Sequence, residues 1–446
     1  MSAQIKKIII LAGDIVFLYL SLFLTVYFRY SHVDPEHSSF TTFQLFLVHV
    51  WAFTPLILVW LVVFYIHNLY EITSAKNTLE FYTSLIRALV VNFLVAALFF
   101  YFANFVEVAP KTNLFIYFGI FVVLFLLWRR QINSILKRRL LVKTVIISGD
   151  DSGSKLALKL NQNPQIGYEV VFVGTPGAGV NISELVNKQG IRALIVDGKF
   201  LNKGATVTSL YDFVDKIEIV TLDKFNERVW RKVDLEHVNS LWFLNNFATG
   251  RRSFYDSAKR FLDFCMSLLL VMPATALGVV ISFLIKLEDG GAVFYKQVRV
   301  GQKGKLFTLI KFRTMRSDAE SKGVQWTVEN DKRITRIGKF LRKTRLDEIP
   351  QLLNILKGEM SFVGPRAERP EFHQMLVDKI PFYDRRYLVK PGLTGWAQIN
   401  YTYGSSVEDT KEKISYDFYY LKNRSLIFDI GIVLKTVNIV LSGLGR

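Results

Sequence analysis

The stretch FLDFCMSLLLVMPATALGVVISFLIKL, residues 261–287, determines how this chain meets a membrane. It is long enough to cross a bilayer as a helix, yet Pro273 stands near its centre. A proline there removes a backbone hydrogen bond and kinks or breaks a helix. Basic residues flank both ends, and a straight crossing would place one basic cluster outside, against the positive-inside bias. We therefore predict a re-entrant helix that bends at Pro273 and returns to the cytoplasmic face, in preference to an ordinary kinked span.

Four other apolar stretches fill the first third of the chain: Ile8–Phe28, Phe46–Ile66, Leu85–Phe105 and Leu114–Trp128. The first three are about 20 residues long, which is enough to span a bilayer, and the fourth is shorter. A basic run from Arg129 to Lys143 follows the fourth stretch, whereas the loops at 30–45 and 104–113 carry almost no Lys or Arg. An even number of spans with both ends cytoplasmic satisfies this bias. Residues 1–141 are therefore predicted to form a four-helix transmembrane region.

Residues 142–248 are predicted to form a small parallel α/β domain of Rossmann-like type, because short β-rich runs alternate with helical pieces. The strands are expected at Lys143–Ser148, Glu169–Gly174, Arg192–Val196 and Glu218–Leu222, and helices at Ser154–Leu160 and Ser209–Val214. A dinucleotide site needs a Gly-x-Gly-x-x-Gly turn after the first strand. Asp151 stands here in place of the middle glycine, and Asp150 and Asp151 would repel a phosphate. The domain is therefore interpreted as structural or regulatory.

The charge of the chain is uneven. The net charge is +18, and residues 249–446 hold 33 of the 56 Lys and Arg against 20 of the 38 Asp and Glu. Such a field attracts anions, and the apolar N-terminal third favours lipid headgroups or phosphorylated substrates over nucleic acid. The single cysteine, Cys265, excludes an internal disulfide and fits a reducing, cytoplasmic location for the soluble parts.

Several short motifs with chemical potential follow the predicted re-entrant helix: Lys311-Phe-Arg313-Thr-Met315, Arg345-Leu-Asp347-Glu348-Ile-Pro350-Gln-Leu352, Gly364-Pro365-Arg366 and Lys390-Pro-Gly-Leu-Thr-Gly-Trp-Ala-Gln398. Adjacent carboxylates beside arginines predict a site for Mg²⁺ and phosphates, because Mg²⁺ prefers oxygen ligands and the guanidinium fork suits phosphate. An Asp-Glu pair taken alone is more often a solvated helix cap.

In this order, and with Tyr416-Asp417-Phe-Tyr419-Tyr420, the motifs resemble those of the bacterial sugar transferases, the monotopic phosphoglycosyl transferases that initiate polysaccharide assembly. The predicted spans and α/β domain extend the resemblance to the large members, typified by undecaprenyl-phosphate glucose or galactose phosphotransferases. The fold expected is then a membrane helical bundle, an α/β domain, and a mostly α-helical catalytic domain over residues 249–446 that contains the re-entrant helix.

The resemblance implies a reaction and a site. It implies that the enzyme transfers a sugar phosphate from a UDP-sugar to undecaprenyl phosphate with release of UMP, through a phosphosugar covalently bound to Asp347. Glu348 is then the partner of Asp347, and both are expected to hold Mg²⁺. The residues expected to bind substrate or phosphate are Lys311, Arg313, Arg345, Arg366, Gln398 and Asp417. The expected setting is the cytoplasmic face of the bacterial inner membrane, at the first membrane step of exopolysaccharide, capsule or O-antigen synthesis.

Two positions depart from the family pattern. Ala367 follows Arg366 where the family commonly has proline, which is expected to loosen the loop while keeping the arginine. Met272 precedes Pro273 where small members often have serine, which changes how the freed backbone groups are satisfied.

Two other segments are predicted to meet the membrane surface or the core. Lys332–Lys343 places Ile334, Ile337 and Leu341 on one helical face among basic residues. This pattern predicts a helix lying in the membrane interface. A solvated basic helix with an apolar side toward the protein core shows the same pattern. Leu426–Leu441 is short and contains Asp429 and Lys435, which predicts an interfacial or core helix and not a span.

Two alternative functions remain open from the sequence. A membrane-anchored nucleotide-sugar dehydratase or epimerase would use a Tyr-x-x-x-Lys pair, and Tyr255 and Lys259 have that spacing. A non-enzymatic membrane scaffold would leave the Asp347–Glu348 pair without a role. The sequence also leaves open which sugar is transferred and whether the chain forms a homo-oligomer.

Overall fold

The structure is a computed structural model that describes residues 3–30, 42–102, 110–138, 141–175, 190–198, 213, 215–247, 253–316, 319, 331–401 and 406–441. The chain divides into two compact units, Met1–Phe225 and Asn226–Arg446, called unit 1 and unit 2 below.

Unit 1 begins with four long helices: α1 (Ala3–Tyr30), α2 (Thr42–Ile66), α3 (Leu79–Phe102) and α4 (Pro110–Arg138). Each is long and apolar enough to cross a membrane, which agrees with the four predicted stretches. The fourth helix is longer than predicted, at 29 residues, because it continues through the basic run that follows Trp128.

A buried ion pair holds the first residue of this extension of α4. Arg129, which the sequence analysis placed in the basic run outside the membrane, is fully buried, and its Nη2 donates to Asp14 Oδ2 at 2.5 Å. Trp128 Nε1 donates to the other oxygen of Asp14 at 3.0 Å, and Arg129 Nη1 donates to the carbonyl of Leu69 at 2.8 Å. A buried charge is stabilised by its ion-pair partner and by hydrogen bonds, so these contacts fix α4 against α1.

A four-stranded sheet follows the helices in unit 1. Its strands are β1 (Val142–Ile147), β2 (Tyr168–Gly174), β3 (Ala193–Val196) and β4 (Glu218–Thr221), with helix α5 (Ser152–Asn161) after β1. The order is β2-β1-β3-β4 and all pairs are parallel, which confirms the predicted parallel sheet. The predicted helix at Ser209–Val214 lies outside the described residues except for Phe213.

The turn after β1 is closed by its own carboxylate. Asp150 Oδ1 accepts hydrogen bonds from the Ser152 backbone N–H and from the Ser148 hydroxyl, both at 2.9 Å. A phosphate bound at the start of this helix would need the Ser152 N–H, which already donates to Asp150.

Unit 2 is mainly helical. Its helices are α6 (Leu222–Trp230, which crosses the division between the units), α7 (Ser240–Phe247), α8 (Ser253–Asp289), α9 (Arg336–Thr344), α10 (Leu352–Lys357), α11 (Pro370–Lys379), α12 (Trp396–Asn400), α13 (Val407–Asn423) and α14 (Leu426–Leu441). Strands β5 (Phe294–Val300) and β6 (Leu306–Phe312) form an antiparallel hairpin, and β7 (Ser361–Val363) pairs in parallel with β8 (Gly392–Thr394).

The segment after Trp230 packs within unit 2. Val233 and Val238 lie in a core cluster with Phe418 of α13, and the Arg231 carbonyl accepts a hydrogen bond from Trp396 Nε1 at 2.8 Å. The predicted boundary between the α/β domain and the C-terminal domain lies at 248/249, whereas the two compact units divide after Phe225.

Helix α8, which contains Pro273, is a continuous run of 37 residues. Near its start, Arg260 donates to the carbonyls of Ile355 and Leu356 at 2.6 and 2.7 Å. Near its end, Ile281 and Ile285 pack in one cluster with residues of β6 and α9. Between these contacts the helix exposes many large apolar side chains, and it is the fifth helix that is long and apolar enough to span a membrane. The first and the second half of α8 therefore both contact other elements of unit 2.

Helix α9 corresponds to the predicted interfacial helix, but its apolar face is inside the unit. Leu341 is buried and Ile337 packs beside it against the second half of α8, so the prediction that this face lies against lipid is wrong. Gly338 permits the close approach, because a Cβ atom there would lie 2.1 Å from the Thr314 carbonyl oxygen. Phe340 remains 59% exposed on the outer face. Helix α14, predicted as an interfacial or core helix, has Ile432 buried on one side and exposes Ile427 and Ile430 on the other.

Candidate active site

The Asp347–Glu348 pair lies in a 3₁₀ turn, Leu346–Gln351, between α9 and α10. Arg345 ends α9 in the left-handed conformation, with φ of 56°, and this reverses the chain direction into the turn. Asp347 and Glu348 are only 5% and 8% exposed. An ordinary solvated helix cap would leave such carboxylates in water. Burying two carboxylates costs desolvation free energy, so their burial indicates a functional site.

Two arginines hold Glu348. Arg366 Nη2 donates to Glu348 Oε1 at 2.9 Å, and Arg345 Nη1 lies 3.7 Å from Glu348 Oε2. Burial alone would raise the pKa of Glu348, but the charges of Arg366 and Arg345 outweigh it and hold the pKa below its ordinary value. Glu348 is therefore a fixed negative charge beside Asp347.

Asp347 has a different environment. Its Oδ1 is buried and has no hydrogen-bond partner among the described residues. Burial and the negative charge of Glu348 raise the pKa of Asp347 to about 7, against the opposing charges of Lys311, Arg342 and Arg366. A carboxylate that is partly ionised at neutral pH and has an oxygen without a hydrogen bond can act as a ligand or as a nucleophile.

Lys311 approaches Asp347 from the β5–β6 hairpin. Lys311 on β6 pairs in register with Tyr295 on β5, and its Nζ lies 5.2 Å from the centre of the Tyr295 ring. Burial and the charge of Arg342 lower the pKa of Lys311 to about 8, while Asp347 acts to raise it. The predicted role of Lys311 beside the carboxylates is therefore consistent with its position.

Arg342 also contributes to the site, although its sequence pattern places it on the basic face of α9. Arg342 Nε donates to Thr314 Oγ1 at 2.8 Å, and its charge acts on Asp347. Arg299 was also missed, although it stands on the same face of β5 as Tyr295 by the two-residue period of a strand. Because Tyr295 pairs with Lys311, this alternation predicts that Arg299 lies on the same face of the hairpin as Lys311.

Three predicted substrate-binding residues have other partners. The Arg313 guanidinium forms an ion pair with Asp289 at the end of α8. Gln398 Nε2 donates to the Leu393 carbonyl at 3.3 Å, and its Oε1 is buried without a hydrogen bond in the described structure. Asp417 forms an ion pair with Arg386 at 2.9 Å, and burial raises the pKa of Asp417 to about 6 against the charge of that arginine.

The Tyr255–Lys259 pair also has a structural explanation. Tyr255 Oη and Lys259 Nζ both donate to Asp429 Oδ2, at 2.8 and 2.5 Å, and Tyr420 Oη donates to Asp429 Oδ1 at 2.9 Å. The pair therefore anchors α8 to α14, and nothing in this contact favours a dehydratase or epimerase.

Within the described ranges, no group of three or more His, Cys, Asp or Glu side chains is placed to hold a metal ion. Four cations (Lys311, Arg342, Arg345 and Arg366) act on the two carboxylates, which leaves positive charge for an anionic ligand. The described residues also include five helices long and apolar enough to span a membrane, which indicates a membrane protein.

Comparison with known proteins identifies the family. Residues 254–443 match the bacterial sugar transferase family. The chain is 38% identical over 230 residues to the UDP-N-acetylgalactosamine-undecaprenyl-phosphate N-acetylgalactosaminephosphotransferase of Aeromonas hydrophila, covering 51% of this chain and 53% of that protein. It is 32% identical over 312 residues to the UDP-glucose:undecaprenyl-phosphate glucose-1-phosphate transferase of Escherichia coli K12, covering 66% of this chain and 67% of that protein.

A shorter relative matches almost throughout. An exopolysaccharide production protein of Rhizobium leguminosarum is 40% identical over 185 residues, which cover 40% of this chain and 92% of that protein. The chain therefore belongs to the bacterial sugar transferase family, as its motifs predicted. It spans about half the length of the Aeromonas relative, and its family match lies within unit 2.

Proposed function

We propose that this chain transfers a sugar 1-phosphate from a UDP-sugar to undecaprenyl phosphate and releases UMP. The observation that carries the proposal is the buried Asp347 carboxylate, which lies among four cations and has one oxygen without a hydrogen bond from any described residue. The Aeromonas and Escherichia relatives, which are named for reactions of this kind, support the choice of substrates. Incubation of membranes containing the protein with UDP-sugars and undecaprenyl phosphate, scored for UMP and lipid product, tests it.

The proposed reaction has two displacements at one phosphorus atom. The free oxygen of Asp347 attacks the phosphorus that bears the sugar, the bond to the UMP oxygen breaks, and UMP leaves with that electron pair. The phosphosugar is then held on Asp347 as an acyl phosphate. A phosphate oxygen of the lipid attacks the same phosphorus, restores the carboxylate and forms the lipid diphosphate sugar. The four cations offset the charge that would otherwise keep the anions apart.

Magnesium is part of the proposal. Asp347 fits it as a ligand through the carboxylate oxygen that does not attack the phosphorus, because Mg²⁺ prefers carboxylate oxygens. Glu348 fits less directly, since both of its oxygens face arginines. When bound, Mg²⁺ would neutralise diphosphate charge and share its coordination with substrate oxygens. Glu348 in this account holds Arg366 and Arg345 in place.

The activity should follow a bell-shaped pH profile. Below about 7 Asp347 becomes protonated and cannot attack, and above about 8 Lys311 loses its charge, so kcat/KM for UMP release should be highest between these values. Arg342, Arg366 and Glu348 stay charged across this range. A Lys311→Arg variant should lose the alkaline limb, because arginine is not deprotonated in proteins. A wild-type profile that is flat from pH 6 to 9 would contradict these assignments.

We also propose that α8 is re-entrant and that unit 2 stays on the cytoplasmic face of the inner membrane. Contacts near both ends of the helix support this, since a crossing helix would put its Arg260 contacts and its Ile281 and Ile285 contacts on opposite sides of the bilayer. In unit 1, the parallel strand order supports a Rossmann-like domain.

This topology predicts a labelling pattern. In a Cys265→Ser background, single cysteines replacing Phe254 and Leu287, both exposed near the two ends of α8, should both react with an impermeant maleimide in inside-out vesicles. Neither should react in right-side-out vesicles. Labelling of the two positions from opposite sides would show a crossing helix and contradict the proposal.

A further inference from the structure

Asp417 and Arg386 form a buried pair directly behind the loop that carries Arg366. Arg386 lies in a 3₁₀ turn, Tyr383–Leu388, and Asp417 lies on α13, where it is 1% exposed. Arg386 Nη2 lies 2.9 Å from Asp417 Oδ2, and the same nitrogen donates to the Arg366 carbonyl at 3.0 Å. Arg386 Nη1 donates to the Tyr383 hydroxyl at 2.8 Å. Both terminal nitrogens of this guanidinium are therefore engaged within the protein.

The carbonyl of Ala367, next to that of Arg366, is also held by an arginine. Arg299 Nη1 donates to the Ala367 carbonyl at 3.0 Å, so two arginines bind two consecutive carbonyls of the loop. The ends of the loop are fixed by backbone bonds, from Gly364 N to the Thr394 carbonyl and from Val300 N to the Glu368 carbonyl, both at 2.9 Å. Ala367 is buried, so these contacts hold the loop even though alanine in place of the family's proline was expected to loosen it.

The side chain of Arg366 contrasts with this fixed backbone. It is 56% exposed, yet Nη2 donates to Glu348 at 2.9 Å. A long, exposed side chain keeps one geometry best when its backbone cannot shift. Asp417, in turn, is buried and negative, and it would repel a substrate phosphate that approached it.

We infer that Asp417 and Arg386 are positioning residues, which orient Arg366 toward the Asp347–Glu348 pair by holding its carbonyl, and that Asp417 does not bind substrate. The inference rests on the proposed function, because its effect is measured through UMP release. It assigns Asp417 a role different from the one that the family resemblance suggested for it.

A double-mutant comparison tests this inference. Asp417→Asn alone should lower kcat for UMP release by about tenfold to a hundredfold, while KM for UDP-sugar changes by less than about threefold. In an Arg366→Lys background the same change should cost less than about twofold, because the residue through which Asp417 acts has already lost its forked contact. Arg386→Lys, which keeps the charge opposite Asp417 but lacks the fork, should show the same dependence on Arg366 and serves if Asp417→Asn does not fold.

The matched control is Glu412→Gln on the same helix. It breaks the 2.6 Å ion pair with Lys232 without touching the Arg366 loop, and should leave kcat within about twofold in both backgrounds. Effects of Asp417→Asn and Arg366→Lys that multiply, or a raised KM with unchanged kcat, would show a separate or direct substrate role and overturn the inference. A wild-type protein that releases no UMP from any UDP-sugar would overturn the proposed function instead.

Discussion

The Asp347→Asn variant is expected to lose UMP release by at least about a thousandfold while it stays folded. Asparagine has the same shape but lacks the charge and the carboxylate oxygen needed to form an acyl phosphate. Because burial and Glu348 raise the pKa of Asp347, its charge destabilises the fold above the ordinary Asp pKa. Removing that charge should therefore leave the thermal unfolding temperature at pH 8 unchanged or higher.

The pairing of lost activity with preserved stability is the decisive feature of this prediction. Asp384→Asn is the matched control, since Asp384 is about half exposed in the same unit and should tolerate the change with activity within about twofold. Asp347→Asn enzyme with near wild-type UMP release would remove Asp347 from the chemistry.

The Glu348→Gln variant is expected to lose about a hundredfold in kcat and to shift its pH profile. The loss follows because Arg366 and Arg345 would no longer face a negative charge, and their guanidinium groups would not be held toward the reacting phosphate. The shift follows because the charge of Glu348 helps to raise the pKa of Asp347. Without that charge, the acid limb of kcat/KM should move to lower pH.

The direction of this pH shift tests the electrostatic role of Glu348. If Glu348 acts mainly through its charge on Asp347 and the arginines, the acid limb of the pH profile moves to lower pH. An acid limb that moves to higher pH would contradict the electrostatic account. Glu371→Gln, at an exposed carboxylate 3.5 Å from Arg369, is the control and should leave both limbs in place.

Elements with a strong local pattern could be predicted from the sequence. The four apolar helices and the four short strands follow from length and periodicity, which each segment carries by itself. Pairings distant in sequence could not be predicted. Arg129 has the composition of a cytoplasmic flank, but Asp14, 115 residues away, draws it into the bundle. The apolar face of α9 fits lipid or protein equally well, and only its contact with α8 decides between them.

The same limit applies to the site. Lys311, Arg345 and Arg366 were predicted beside Asp347 and Glu348 because ordered motifs carry that information. Arg386 follows another arginine and an aspartate in what looks like an exposed turn, so nothing local indicates that it is buried against Asp417. Asp417 was predicted as a substrate ligand, and only its pairing with Arg386 points to a different role.

The covalent step is tested most directly by the intact mass of the purified enzyme after incubation with UDP-sugar and Mg²⁺ in the absence of lipid phosphate. The account predicts that the mass increases by one phosphosugar, that peptide mapping places it on Asp347, and that adding undecaprenyl phosphate removes it. The Asp347→Asn variant should acquire no such mass. Release of UMP into lipid product without any adduct under rapid quenching, or an adduct on another residue, would contradict it.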